Sequence, residues 1–287
     1  MAKKPVSLIA LLSFMMVLNR VNSANLVSFN FESFSPDQED LILQGDASIS
    51  NNMLQMTKLD SNESPMGHSV GRAMFYAPVR LWESSAVEAS FETTFTFKMS
   101  TPDDDSSPGD GMAFFIASPD TTIPPCSDGM LLGLFPNTEP LKNSSSSSCK
   151  NQITLDFNDN LVAVEFDTFP NEHIDPDCKH IGIDVNSIIS KNTTKFEWQN
   201  GKVATAHINY NSASQRLAVV ATYPGTTPKM LFYDMQLNAI LPQWVRVGFS
   251  ASTGQNVQTN TILSWSFTSR FEDTFLLNKD MHIATVV

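Results

Sequence analysis

Positive charge is scarce in this chain: 18 lysines and arginines stand against 30 aspartates and glutamates, a formal net charge of -12. A surface of that sign repels polyanions, which argues against nucleic acid or anionic membranes as partners. Long apolar runs are missing too. A bilayer span needs roughly 20 consecutive apolar residues, and the run from Val6 to Leu18 falls well short. It follows Lys3 and Lys4 and leads through Asn19-Arg20 into the small-residue stretch Val21-Asn22-Ser23-Ala24, the pattern of a signal peptide over residues 1–23. The expectation is a secreted or vacuolar protein with no membrane insertion. Cysteine is rare as well, and three in an oxidising compartment make one disulfide and one leftover thiol the simplest arrangement. Cys126 and Cys149 bracket one Pro-, Asn- and Ser-rich stretch, so loop closure favours that pair and leaves Cys178 free. No CxxC or HxxxH spacing exists, which argues against zinc.

The sequence also lacks a sustained helical period, an internal repeat and a linker-like break. What it has instead is short alternating apolar runs between turn signals: Leu26 to Phe31, Ser90 to Phe97, Gly111 to Ile116, Val162 to Phe169, His180 to Ile188, Val203 to Tyr210, Arg216 to Tyr223, Trp244 to Ser250 and Ile262 to Thr268. Many short strands in one chain of this size predict an all-β jelly-roll sandwich of antiparallel sheets around a single core. The domain is placed at residues 24–271, with 272–287 a flexible or trimmed tail. Residues 102–108 and 136–150 read as solvated loops. Sequons at Asn62, Asn143 and Asn192 agree with secretion.

The stretch from Val162 to Ser187 carries the most chemistry. Side chains alternate along a strand, so Val162, Val164 and Phe166 share one face while Glu165 and Asp167 share the other. If that face is buried, two carboxylates there need a cation or protonation. Asn171 and Asp175 add oxygens, and an antiparallel return brings His180 beside Glu165 and Asp167. A site with an imidazole nitrogen suits Mn²⁺, and one with oxygens alone suits Ca²⁺. On spacing alone, ordinary surface acids and a histidine at a strand start remain an alternative.

VAVEFDT at 162–168, HIGIDVNS at 180–187, LPQWVRVGFS at 241–250 and LSWSFTS at 263–269 together resemble the legume lectins, over about Asn25 to Phe271. The resemblance implies that Glu165, Asp167, Asp175 and His180 hold Mn²⁺. It implies that Asp167, the Phe169 carbonyl, Asn171 and Asp175 hold Ca²⁺. It also implies that Asp110 in PGDGMAFFIA, preceded by a cis peptide bond, is the carboxylate that accepts sugar hydroxyls. Asn171 would give its amide and Phe169 its ring to the sugar. The family's backbone donor is usually a glycine at the place where Met130 stands, with Gly129 one residue earlier. Gln255 and Asn256 fall where mannose-binding relatives offer two N-H groups, and the loop there has the short length of mannose and glucose binders. Glycans are the expected partners, met by a homodimer or homotetramer.

Other classes fare worse. A glycosidase on such a sandwich typically spaces its acids as ExDxxE, and Pro170 occupies the third position, so the chain reads as no enzyme. A defence or storage protein of the lectin fold that has lost sugar binding would typically have lost the metal loop, which is retained here.

Overall fold

The computed structural model describes residues 26–102, 107–136 and 160–271. Two antiparallel sheets make up the described fold. The front sheet runs β12 (Asn192–Lys195), β11 (His180–Val185), β10 (Leu161–Asp167), β9 (Gly111–Ala117), β16 (Trp244–Ser252), β5 (Val70–Phe75) and β2 (Leu41–Gly45), with β6 (Val79–Arg80) paired to β16. The back sheet runs β15 (Lys229–Asp234), β14 (Arg216–Thr222), β13 (Val203–Asn211), β8 (Val87–Ser100), β17 (Thr259–Phe271), β4 (Met53–Gln55) and β3 (Ser48–Ser50). On it β1 (Leu26–Phe31) pairs with β17 and β7 (Trp82–Ser84) with β8. The all-β sandwich expected from the strand pattern is what the chain forms.

Alternation explains the layering. On β8, Phe91, Phe95, Phe97 and Met99 turn inward between polar neighbours, while β9 and β10 are buried along their whole length. Strands covered on both faces read as nearly continuous apolar runs, and those two do. Inward residues of both sheets interlock around aromatic rings. Phe95 meets Phe249 edge-on at 4.8 Å, and Phe249 meets Trp265 at 4.8 Å. The Trp265 indole N-H donates to Thr93 Oγ1 at 2.9 Å, so this ring leaves no polar group stranded.

A second, smaller cluster lies on the other face of the front sheet. Ala113, Phe115, Leu161 and Ala163 pack there against Leu132 and Leu134, roofed by residues 121–136. Buried Arg72 on β5 pins that roof. Its guanidinium donates to Gly133 O at 2.8 Å, Thr121 Oγ1 at 3.0 Å and Thr122 O at 3.0 Å, and sits 4.8 Å from the Phe115 ring centroid. The roof brings Gly129 to one end of the front sheet.

Of the boundaries read from sequence, β1 agrees end to end, and β8 and β17 extend beyond the expected runs. The strand at Val162 stops at Asp167 instead of Phe169, because Asp167 Oδ1 accepts from Phe169 N at 2.7 Å and turns the chain. The one at His180 stops at Val185, where Asn186 adopts a left-handed φ of 52°. Several strands escaped the pattern. β5, VGRAMF, is almost fully buried and so shows no alternation, and an arginine in its middle hides it further. The signal peptide, the tail, Asn143 and Cys149 lie outside the described residues.

Candidate functional site

One row across the front sheet carries the site. Asp167 at the end of β10 pairs with His180 opening β11 on one side and with Gly111 opening β9 on the other, and Gly111 pairs with Ser252 ending β16. Four strand ends therefore deliver their loops to one place. Such convergence of loops on a rigid sheet is where binding residues concentrate.

The acidic half of the site forms by alternation. Val162, Val164 and Phe166 enter the main core, as do Ile181 and Ile183, which turns Glu165, Asp167 and His180 to the opposite face. Ligand atoms of Asp167, Asp175 and His180 all lie within 4.8 Å of one another. His180 Nε2 is 3.0 Å from Glu165 Oε1, both side chains being about 1% exposed. Asn171 N donates to Asp175 Oδ2 at 2.6 Å, which folds the loop back onto the strand end.

Electrostatics here favour either protonation or a bound cation. Burial first, then the charges of Glu165 and Asp175, push the Asp167 carboxyl well above its ordinary range. Burial also raises Asp175. Glu165 Oε2 and His180 Nδ1 are buried without a hydrogen-bond partner. One polar atom of the Asn171 carboxamide lies 3.0 Å from the Phe169 carbonyl and 3.1 Å from Asp175 Oδ2. With nitrogen there it donates to both; with oxygen there, three oxygens converge and only a cation satisfies them. A donor set of carboxylates, a carbonyl, an amide and one imidazole fits divalent ions of the calcium and manganese kind.

The other half of the site centres on Asp110. The Gly109-Asp110 peptide bond is cis. The Asp110 carbonyl accepts from Thr168 N and lies within reach of Thr168 Oγ1, each at 2.9 Å, which ties it to the residue following Asp167. Asp110 is 5% exposed and its Oδ2 has no hydrogen-bond partner. Burial raises its pKa to about 7, against a smaller lowering by the Gly254 backbone N-H. Two glycines flank this carboxylate: a Cβ on Gly254 would lie 2.9 Å from Oδ2, and one on Gly129 3.8 Å from it.

The expected sugar residues are placed unevenly. Asp110 and Gly129 are neighbours, and Phe169 and Asn171 sit half-buried beside the acidic cluster. Gly129 itself, with φ of 63°, takes the place beside the carboxylate, and Met130 follows it half-buried. Gln255 is exposed, and Asn256 packs its Cβ behind Gly109. In that loop Gly254 borders the carboxylate, a residue outside the expected set; a glycine between two strands was the available signal for close approach. Also missed were Asp184 and Ser190. Ser190 Oγ stands 2.7 Å from Glu165 Oε1 and 2.6 Å from Asp184 Oδ1, so a third buried acid adjoins the cluster.

The loops of this β-sandwich thus gather a buried carboxylate with one unpartnered oxygen beside a cluster of side chains able to hold a metal. The Legume lectin domain family model matches residues 26–281, ten residues past the boundary drawn at 271. A lectin of Dioclea lasiophylla is 52% identical over 285 residues, covering 96% of this chain and 94% of its own. Basic winged bean lectin, solved with Tn-antigen, superposes with a TM-score of 0.75 at 38% identity, covering 86% of this chain and 100% of its own. Lectin UEA-II complexed with galactose superposes at 0.72 with 40% identity, covering 85% of this chain and 98% of its own. The chain belongs to the legume lectin family, and is a carbohydrate-binding protein of that fold.

Proposed function

We propose that this lectin binds mannose- or glucose-type sugars at Asp110, in a site kept in shape by Ca²⁺ and Mn²⁺. The observation that carries the sugar site is the buried Asp110 carboxylate with its unpartnered Oδ2, held between Gly129 and Gly254. An unpaired acceptor is a costly thing to bury unless a donor arrives, and paired sugar hydroxyls are such donors. Asn171 supplies an amide N-H and Phe169 a ring for the sugar's C-H face, with Gly129, Met130, Gln255 and Asn256 lining the remainder.

Glu165, Asp167, Asp175 and His180 would hold Mn²⁺; Asp167, the Phe169 carbonyl, Asn171 and Asp175 would hold Ca²⁺. When bound, the ions supply positive charge that offsets repulsion among these acids and favours one amide orientation of Asn171. The residues' own part is to present that amide and, through Thr168, to seat the Asp110 backbone.

The mannose and glucose preference rests on the short connection, residues 253–258, between β16 and β17. Its length limits which ring orientations leave both hydroxyls paired with Asp110. A galactose preference is the second reading, favoured by the likeness to UEA-II, which was solved with galactose. Inhibition by methyl mannoside compared with galactose, run with metals, with chelator and with metals restored, tests both. Stronger inhibition by mannoside, lost with chelator and regained with metal, is the expected result. Stronger inhibition by galactose would overturn the sugar preference, and unchanged binding after chelation would overturn the metal requirement.

The protein acts by binding and not by catalysis, since the carboxylates a glycosidase would use are engaged around His180. A disulfide between Cys126 and Cys149 is supported by a bonded Cys126 and a free Cys178. Glycans at Asn62 and Asn192 suit the exposure of both side chains, and Asn143 is a third sequon. Secretory or vacuolar routing rests on the leader, and no described helix is long and apolar enough to cross a membrane. A homodimer or homotetramer would present several such sites to one glycan-bearing surface.

A further inference from the structure

Around Asp110 the contacts form a closed ring. Gly254 abuts the carboxylate and its carbonyl accepts from His68 N at 3.1 Å. The His68 ring, through Nδ1, meets Asp128 Oδ2 at 2.7 Å, and Asp128 precedes Gly129, whose Cβ position returns to 3.8 Å from Asp110 Oδ2. A Cβ on Gly129 would also stand 3.8 Å from the Gly254 Cα, so both glycines bear on one another as well as on the acid. His68 and Asp128 are partly exposed, at 56% and 32% of their side chains, and their bond is the link that closes the ring from outside.

The rest of each loop is tied elsewhere. Thr253 Oγ1 donates to Met66 O at 2.7 Å, securing the His68 segment to the Gly254 loop. Arg72 holds the other segment at Gly133 and Thr122, beyond the turn that carries Gly129. Between Ser127, whose hydroxyl donates to Pro124 O at 2.7 Å, and Leu131, the hydrogen bonds from outside the turn among the described residues are the long Gly129 N to Thr253 O bond at 3.4 Å, the Ser252 hydroxyl to Gly129 O at 2.6 Å, and the His68 to Asp128 pair. The pair is thus the side-chain contact that draws the Gly129 turn toward the loop from Met66 to His68, across the site's mouth.

We propose that His68 and Asp128 form a latch that positions the Gly129 turn against the Asp110 carboxylate and thereby sets the lifetime of the bound sugar. His68 is a positioning residue, acting through Asp128 and Gly129 without itself holding the sugar. The proposal rests on Asp110 being the sugar carboxylate. A partly exposed hydrogen bond that steadies a loop acts mainly on dissociation, since a mobile turn releases ligand faster than it impedes arrival.

The test must respect the backbone. His68 has φ of 56°, a conformation in which alanine is strained, so His68→Gly removes the ring without adding strain and His68→Asn keeps both a donor and tolerance of positive φ. Asp128, at φ of -72°, accepts alanine. Methyl mannoside and galactose binding to metal-loaded protein is measured kinetically for His68→Gly, Asp128→Ala, the double variant, His68→Asn and Asp110→Asn. Expected is an approximately five- to tenfold faster dissociation in each single latch variant, the yield of one surface charge-assisted bond. The double variant should be no weaker than the singles, and His68→Asn should recover most of the loss, with melting temperature and calcium content unchanged. Wild-type dissociation in His68→Gly, or additive losses in the double variant, would overturn the latch while a binding-dead Asp110→Asn left the sugar site standing. Undiminished binding by Asp110→Asn would instead overturn the site assignment on which the latch depends.

Discussion

At the residue scale, the site depends on what is absent beside Asp110. Gly254 has no side chain where a Cβ would stand 2.9 Å from Oδ2. Gly254→Ala should therefore displace the carboxylate and weaken sugar binding at least about tenfold, about 1.4 kcal/mol, with little change in unfolding; calorimetric titration with the preferred monosaccharide checks it. The raised pKa of Asp110 gives a second prediction. Its folded value of about 7, against an ordinary 3.8, means the native state keeps this proton to higher pH than the unfolded chain does. The associated stability is fully present below about pH 3.8 and is lost as the pH rises toward 7. Chelator-treated protein should accordingly melt at progressively lower temperature across that window, and Asp110→Asn should flatten the decline. A decline identical in that variant would remove Asp110 as a contributor beside the other buried acids. The sequence made Asp110 visible through the DG step before AFF, but its burial and its neighbour Gly254 come from a loop more than a hundred residues later in the chain.

At the element scale, the roof of residues 121–136 is held by β5 through one guanidinium. Arg72→Met keeps the bulk and removes the donors, stranding the buried Gly133 carbonyl and Thr121 hydroxyl. The expected loss is roughly 2–4 kcal/mol by denaturant titration, with sugar affinity falling too because the roof carries Gly129. Stability equal to the wild type would show that the roof is held by its apolar contacts with Phe115 and Ala163 alone. Nothing in VGRAMF announces this role. Strands such as β8 and β17 were legible because one face is apolar and the other polar. β5 was not, because both its faces are covered and alternation vanishes when nothing faces water.

For the whole molecule, the proposed ions and the fold would stabilise one another. Asp167, Asp175 and Asp184 are each pushed upward chiefly by burial, so ionising them in place is less favourable than in the unfolded chain. Ions that bind the folded cluster and ignore the unfolded chain add stability by mass action, about 2.7 kcal/mol at a hundredfold excess over the dissociation constant. Melting temperature should therefore rise on adding Ca²⁺ and Mn²⁺ to stripped protein, and more at pH 7 than at pH 4. A pH-independent rise would mean that the ions bind elsewhere.

By itself the sequence determined the class of fold, the faces of β10 and β11, and the side chains that carry charge or metal-ligand chemistry. Those properties are local, since the alternation of a strand and the hardness of an oxygen ligand need no knowledge of distant residues. The tertiary structure alone decided that Gly254 borders Asp110, that Gly129 lies beside the same carboxylate, and that His68 reaches Asp128. Each of these joins segments far apart in the chain. Their distance is set by sheet register and by the packing of the roof, and a one-residue change in either moves a side chain to the other face.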